Sequence, residues 1–186
     1  MKIVLSVLGT LLVVVALAVG LVYSGLYNVA ATEPHHPLVR WILETATARS
    51  IAVRADAVGS SDIGAASLVE EGARHYRVMC ETCHGGPDAA PSGIGKGLRP
   101  APPDLARTAG AMPTERIFWI VKHGIKMTGM PAWGETHDDR ALWAIVAFVK
   151  RLPALSPEQY RAMGRPAGGA GHGPAGSHGH TPGGSE

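Results

Sequence analysis

A chain of 186 residues carries two cysteines, three positions apart, in Cys80-Glu81-Thr82-Cys83, with His84 directly behind them. One pair cannot make a disulfide framework, so the fold must be held by an apolar core or by what the pair binds. Three chemistries use such a pair. A structural zinc ion needs four ligands, and a Cys-x-x-Cys normally meets a second pair or two histidines; no second pair exists here. A redox dithiol of the thioredoxin kind belongs in a βαβ context, and the chain shows no strand pattern of any strength. The third chemistry uses the following histidine as well. Two thiols at this spacing bond the vinyl groups of a haem while the histidine reaches the iron, and Cys-x-x-Cys-His is the c-type attachment signal. The reading is one covalent haem c, attached at Cys80 and Cys83, with His84 as an axial ligand of the iron.

The N-terminus supplies a compartment. Ile3 to Tyr23 carries no charge and at 1.5 Å per residue spans roughly 30 Å, the thickness of a hydrocarbon core. The apolar part of a signal peptide is shorter, about 7–15 residues. The rival is a cleaved signal with its site after Val29-Ala30-Ala31; the length favours an uncleaved anchor. Lys2 puts positive charge before the span, which keeps the N-terminus cytoplasmic. The rest of the chain then lies in the periplasm, on the side where c-type haem is attached. Tyr23 and Tyr27 fall at the interface, where amphipathic rings are favoured. The formal net charge is +2 and the basic residues never form a run, so no nucleic-acid partner is expected.

Between the span and the cysteines, Pro37 stands in the first turn of a helix over about 38–58, with His36 or Thr32 near its start. Leu38, Trp41, Ile42, Thr45, Ala48 and Ala52 give it a patchy stripe. It reads as a spacer lying on the domain or on the lipid surface; His35 and His36 alone are poor metal ligands. Gly59–Gly64 interrupts. A helix over about 66–83 runs into the motif, and prolines and glycines keep residues 85–113 in loop. A further helix starts near Thr114 and ends at Gly124. The last starts near Thr136, with Asp139 as its capping-box partner, and runs to about Leu152 on a buried stripe of Leu142, Ile145, Val146 and Val149. From Gly164 to Glu186 no apolar residue exceeds alanine, so this stretch cannot offset its ordering entropy. His172, His178 and His180 read as part of a solvated tail. The organisation is an anchor over 1–24, a linker with spacer helix over 25–64, a haem domain over 65–155 and a Gly/Pro/His-rich disordered tail over 156–186.

A second axial ligand has five candidates: Met127, Met130, His75, His123 and His137. Met130 is favoured. Pro131 pushes it toward extended backbone, and Gly129 allows close approach, so a constrained loop aims one side chain. Met79, Met112 and Met163 read as core filler. Histidine and methionine together raise the reduction potential and fill both axial positions, and a closed iron passes electrons rather than reacting with substrate.

These motifs resemble the class I c-type cytochromes, and more closely the membrane-anchored monohaem cytochromes of bacterial respiratory chains, over about Ala66 to Leu152. Gly72 and Tyr76, eight and four positions before Cys80, match that family's first-helix glycine and aromatic. The resemblance implies that the first and last helices cross at Gly72, with Ile145 and Phe148 as partners. It implies that "GIKMTGMPAWG" is the methionine loop and Met130 the ligand. It further implies that the carbonyl of Pro100 or Pro102 holds the His84 ring. Trp119 and Trp133 are expected against the porphyrin, and Arg99 or Lys126 near a propionate. The expected fold is a small all-α cytochrome c domain around one haem, after a single transmembrane helix and before a disordered tail. The expected function is one-electron transfer, not enzymatic catalysis, in the cytoplasmic membrane facing the periplasm. Its partners would be a donor and an acceptor complex, with no small-molecule substrate. The alternative is a permanently bound cytochrome subunit of a membrane dehydrogenase or oxidase. Between residues 65 and 152 stand eleven Lys/Arg and nine Asp/Glu, enough only for weak electrostatic steering.

Overall fold

A computed structural model describes residues 1–164 and is all-α: among these residues the β-structure amounts to one isolated bridge, Gly86 to Ala89. The elements are α1 (Lys2–Tyr23), α2 (Pro37–Ala55), α3 (Ala66–Met79), α4 (Glu81–His84), α5 (Gly93–Gly97), α6 (Leu105–Thr108), α7 (Thr114–His123), α8 (Asp139–Arg151) and α9 (Pro157–Ala162). Short 3₁₀ turns occur at Ala109–Ala111, Trp133–Glu135 and Leu152–Ala154. Helix α1 is long and apolar enough to cross a membrane, and none of its residues is buried.

The core forms where α3 crosses α8. Heptad-like spacing puts Leu142, Ile145, Val146 and Val149 on one side of α8, and all are buried. Each such side chain contributes about 1.5–3 kcal/mol by leaving water. The crossing is close because Gly72 has no side chain: a Cβ there would lie 1.9 Å from the Ala144 carbonyl oxygen and 2.9 Å from Phe148 Cβ. Phe148 is therefore a partner of the glycine as expected. Ala144, which the resemblance did not single out, presents its backbone directly. One turn on, the rings of Tyr76 and Phe148 pack at 5.2 Å, and the Tyr76 hydroxyl donates to the Gly85 carbonyl at 2.9 Å. That bond ties α3 to the chain just beyond His84. On the other flank Phe118 of α7 stacks on Trp143 of α8 at 4.2 Å.

Several boundaries differ from the sequence reading, each for a local reason. The helix carrying the motif is not continuous to Cys83. It breaks at Cys80 (φ −112°, ψ −37°), and α4 starts afresh with the Cys80 carbonyl accepting from both Cys83 and His84 N–H. The last helix starts at Asp139, three residues late. Asp138 caps it by accepting from Ala141 N–H at 2.8 Å, whereas Thr136 belongs to the preceding turn. Helix α7 has Thr114 as its first residue, with Pro113 at the cap. Helix α2 is capped by His36 and ends at Ala55, burying Ile51 and Ala55; it packs on α7.

Residues 156–164, which the sequence reading assigns to the tail, form α9 and its exit. Ser156 accepts from Gln159 N–H while the Gln159 side chain accepts from Ser156 N–H, a reciprocal cap. Tyr160 is buried against Gly86 and Phe148. The Arg77 guanidinium covers its ring at 4.5 Å and donates to the carbonyls of Tyr160 and Met163. Gly164 N–H donates to Glu70 at 3.0 Å. The segment is strapped along α3. His172, His178 and His180 lie outside the described residues.

Candidate functional site

The chain after the α3–α8 crossing has a different character. From Gly85 to Pro113 the fully buried residues are Gly85, Gly95 and Ala109 alone, and Leu105 is the one large side chain of these 29 positions packed, half-buried, against the core. Glycines let its backbone close on itself. Gly95 sits where a Cβ would lie 2.8 Å from the Cys83 carbonyl, so α5 packs directly on α4. Ser92 N–H donates to the Thr82 carbonyl at 3.0 Å.

The candidate residues are held as follows. Cys80 is buried and Cys83 half-buried, and both are unpaired thiols. Burial, and then Cys83, push the Cys80 thiol up to about 12. The His84 Nδ1 lies 3.0 Å from the carbonyl of Pro103. A carbonyl can only accept, so Nδ1 carries the proton and Nε2 is left with its lone pair. The partner is thus neither Pro100 nor Pro102. Asp104 follows, whose carbonyl receives Thr108 N–H and begins α6, and that turn aims the preceding carbonyl. Burial lowers the His84 pKa, with the Pro103 bond opposing in part; the ring is held neutral, as a metal ligand must be.

Met130 lies on the loop from Gly124 to Ala132. The loop is clamped at both ends. Gly124 (φ 64°) turns the chain at the end of α7, where a Cβ would meet the Met130 oxygen at 2.7 Å. Ile125 N–H donates to the Met130 carbonyl at 3.2 Å, and Met130 N–H donates to Thr128 Oγ1 at 3.1 Å. Gly129 presses on the side chain of Leu98, at 2.6 Å from where its Cβ would stand. The methionine loop and the loop downstream of His84 therefore meet. Met130 is half-buried and packs against the core, whereas Met127 is 77% exposed. The histidine alternatives are engaged elsewhere: His75 meets His137 edge-on at 5.6 Å, and His123 lies over Trp119 at 4.9 Å. Trp133 packs half-buried against the core and edge-on to His137. Arg99 is exposed and donates to the Lys96 and Leu98 carbonyls.

The comparisons bear on the same stretch: residues 67–149 match the family model described as cytochrome C oxidase, cbb3-type, subunit III. Over these residues the match supports a class I c-type cytochrome domain. Comparison with curated proteins and with solved structures found no match. The match begins in the first turn of α3 and ends in the last of α8, so the crossing at Gly72 and both candidate loops fall inside it. Helices α1, α2 and α9 fall outside.

A cytochrome c domain implies haem c, and the residues present fit that group. The donor set is one thiol at the break between α3 and α4 and a second inside α4, an imidazole with its free nitrogen fixed by a backbone bond, and a half-buried thioether on a clamped loop. The 85–113 loop offers wall rather than filler, which suits a large apolar disc. Among the described residues no three His, Cys, Asp or Glu side chains converge as ligands of a bare metal ion would. The Pro103 bond, the Ala144 contact and the α9 strap escaped sequence reasoning. Only α9 left a local signal, Ser156-Pro157-Glu158-Gln159, a capping box with proline at the first helical position.

Proposed function

We propose that this chain is a membrane-anchored one-electron carrier with a single haem c, bound through thioethers at Cys80 and Cys83. His84 Nε2 and Met130 Sδ would be the axial ligands. The haem domain would face the periplasm, tethered by α1, and would exchange electrons with redox protein partners. The observation that carries the reading is the meeting of the two loops at Gly129 and Leu98, behind a histidine already oriented by Pro103. When bound, the haem supplies a metal centre that gains and loses one electron. The chain's own residues fix its surroundings. Pro103 holds the imidazole in one tautomer. Gly95 lets α5 close on α4. Gly124, Thr128 and Pro131 restrict Met130 so that little entropy remains to be lost on ligation. With both axial positions filled, no site is left for a substrate on the iron.

Met130→Ala tests the assignment. The variant should lose several-fold or more of its resistance to carbon monoxide binding in the reduced state, and its potential should fall, because methionine ligation raises it. An unchanged potential and spectrum would remove Met130 from the iron. Mass spectrometry of the denatured protein should find haem on the peptide containing Cys80 and Cys83. The matching family, cbb3-type cytochrome c oxidase subunit III, favours a second reading, a permanent cytochrome subunit of an oxidase. A stoichiometric partner retained through gentle detergent extraction would select it over the free carrier.

A further inference from the structure

Helix α2 has two apolar faces, and one of them is uncovered. Leu43, Thr47, Ile51 and Ala55, spaced four apart, are half-buried or buried on the domain side. Leu38, Trp41 and Ile42, spaced three and four apart, point the other way and are 57%, 62% and 49% exposed. Val53 continues that side at 70% exposed. Residues at such spacings share one helix face. The apolar residues of an ordinary surface helix go inward; here the outer face is the richer one in large side chains.

We propose that this outer face of α2 lies in the lipid headgroup–acyl boundary of the same leaflet from which α1 emerges, a reading that rests on α1 being a membrane anchor. Continuity argues for lipid as the occupant. Thirteen residues, Ser24–His36, separate the two helices, a leash of at most about 45 Å, and the apolar cluster is at the α2 end nearest the anchor. Composition agrees. Interfacial helices carry Trp and Leu on the buried side with Arg at the flanks, and α2 holds Arg40, Arg49 and Arg54 against Glu44 alone. That excess of positive charge complements anionic headgroups. Tryptophan is also the side chain that settles best at this depth. Since the opposite face of α2 is packed on α7, a lipid-seated α2 would hold the cytochrome domain at a fixed attitude to the membrane rather than on a free tether.

The full-length holoprotein, reconstituted into phosphatidylethanolamine–phosphatidylglycerol vesicles, tests this by spin-label accessibility. With Cys80 and Cys83 occupied by haem, Thr45→Cys gives one reactive thiol on the outer face, leaving Leu38, Trp41 and Ile42 intact. Ser61→Cys reports water and Val13→Cys reports the bilayer. The expected ratio of oxygen to water-soluble nickel collisions is several-fold higher at Thr45→Cys than at Ser61→Cys. Replacing Leu38, Trp41 and Ile42 with serine in the Thr45→Cys background should return the ratio to the aqueous value, with the haem spectrum unchanged. An aqueous ratio at Thr45→Cys with Val13→Cys in lipid overturns the proposal and leaves the anchor standing. An aqueous ratio at Val13→Cys defeats the anchor and the proposal together. A label shielded from both agents and broadened by a neighbouring label means that a second copy covers the face, which also overturns it.

Discussion

Gly72, which of the described glycines has the least room for a Cβ, gives the sharpest stability test. Adding one methyl group at Gly72 would place it 1.9 Å from the Ala144 oxygen, 2.5 Å from the Ala144 carbonyl carbon and 2.9 Å from Phe148 Cβ. Two of these three atoms are backbone, so no side-chain rotation relieves the clash. Helices α3 and α8 would have to separate by about 1 Å, and overpacking of this kind costs about 1–3 kcal/mol, sometimes more. The crossing involves the most extensive helix–helix contact among the described residues, so the upper end applies. Alanine returns up to about 1 kcal/mol through helix propensity. The net for Gly72→Ala is a loss of about 2 kcal/mol. At about 4–8 °C per kcal/mol for a domain of this size, Tm falls by roughly 8–16 °C. The assay is thermal unfolding of the detergent-solubilised holoprotein, followed by circular dichroism in the far ultraviolet and in the haem band. Gly93→Ala is the control: it too lies in a helix, but its added methyl meets nothing within 4 Å, so Tm should hold or rise. A Gly72→Ala protein that melts with the wild type would refute the argument that this crossing is limited by backbone contact.

Two further outcomes follow from the packing. The Lys150 ammonium donates to the carbonyls of Ala109, Gly110 and Met112 at 3.3, 2.8 and 2.9 Å, pinning the end of the 85–113 loop to α8. Lys150→Met should cost about 1–3 kcal/mol in equilibrium denaturation, and a cost near zero would make the cation incidental. The buried Tyr160 hydroxyl has no hydrogen-bond partner among the described residues, so Tyr160→Phe should be neutral or stabilising by up to about 1 kcal/mol. The same site sets an alkaline limit. Burial raises Tyr160, and the Glu81 carboxylate adds to it; burial raises Tyr76 as well. Unfolded tyrosine ionises near pH 10 while the folded rings keep their protons. Stability is therefore full below that pH and falls as pH rises past it. Denaturation at pH 9 and pH 11 should show a smaller alkaline loss in Tyr160→Phe than in the wild type; equal losses would mean that Tyr160 does not carry it.

What the sequence made legible divides by range of interaction. Helix type followed from periodicity, a local pattern, while the place of Gly72 came from the family resemblance, which matches its distance from Cys80. Helix starts were off by up to three residues where two polar residues compete for one cap: Asp138 displaced Thr136 because its carboxylate reaches Ala141 N–H. The His84 partner was read as Pro100 or Pro102, yet three prolines lie within four positions. Which carbonyl turns inward is decided by the Asp104 turn that starts α6, a tertiary matter. Tyr160 and Arg77 are 83 positions apart, and no local pattern links them.

The uneven core explains why the attachment motif constrains this fold so strongly. Helices α3, α7 and α8 bury large side chains against one another and would cohere as ordinary packing. The stretch from Gly85 to Pro113 does so only weakly: it fully buries two glycines and one alanine, and is held by half-buried Leu105, by backbone bonds, by Lys150 and by contact with the methionine loop. Ordering a backbone costs about 1–2 kcal/mol per residue, and with so little apolar area of its own the stretch must recover that from a shared apolar surface. A covalently held haem would supply such a surface, as metals and disulfides do in other small domains. The glycines and prolines that look like mere loop in the sequence are thus the residues that let the chain form a thin wall, and the two cysteines with His84 stand where that wall begins.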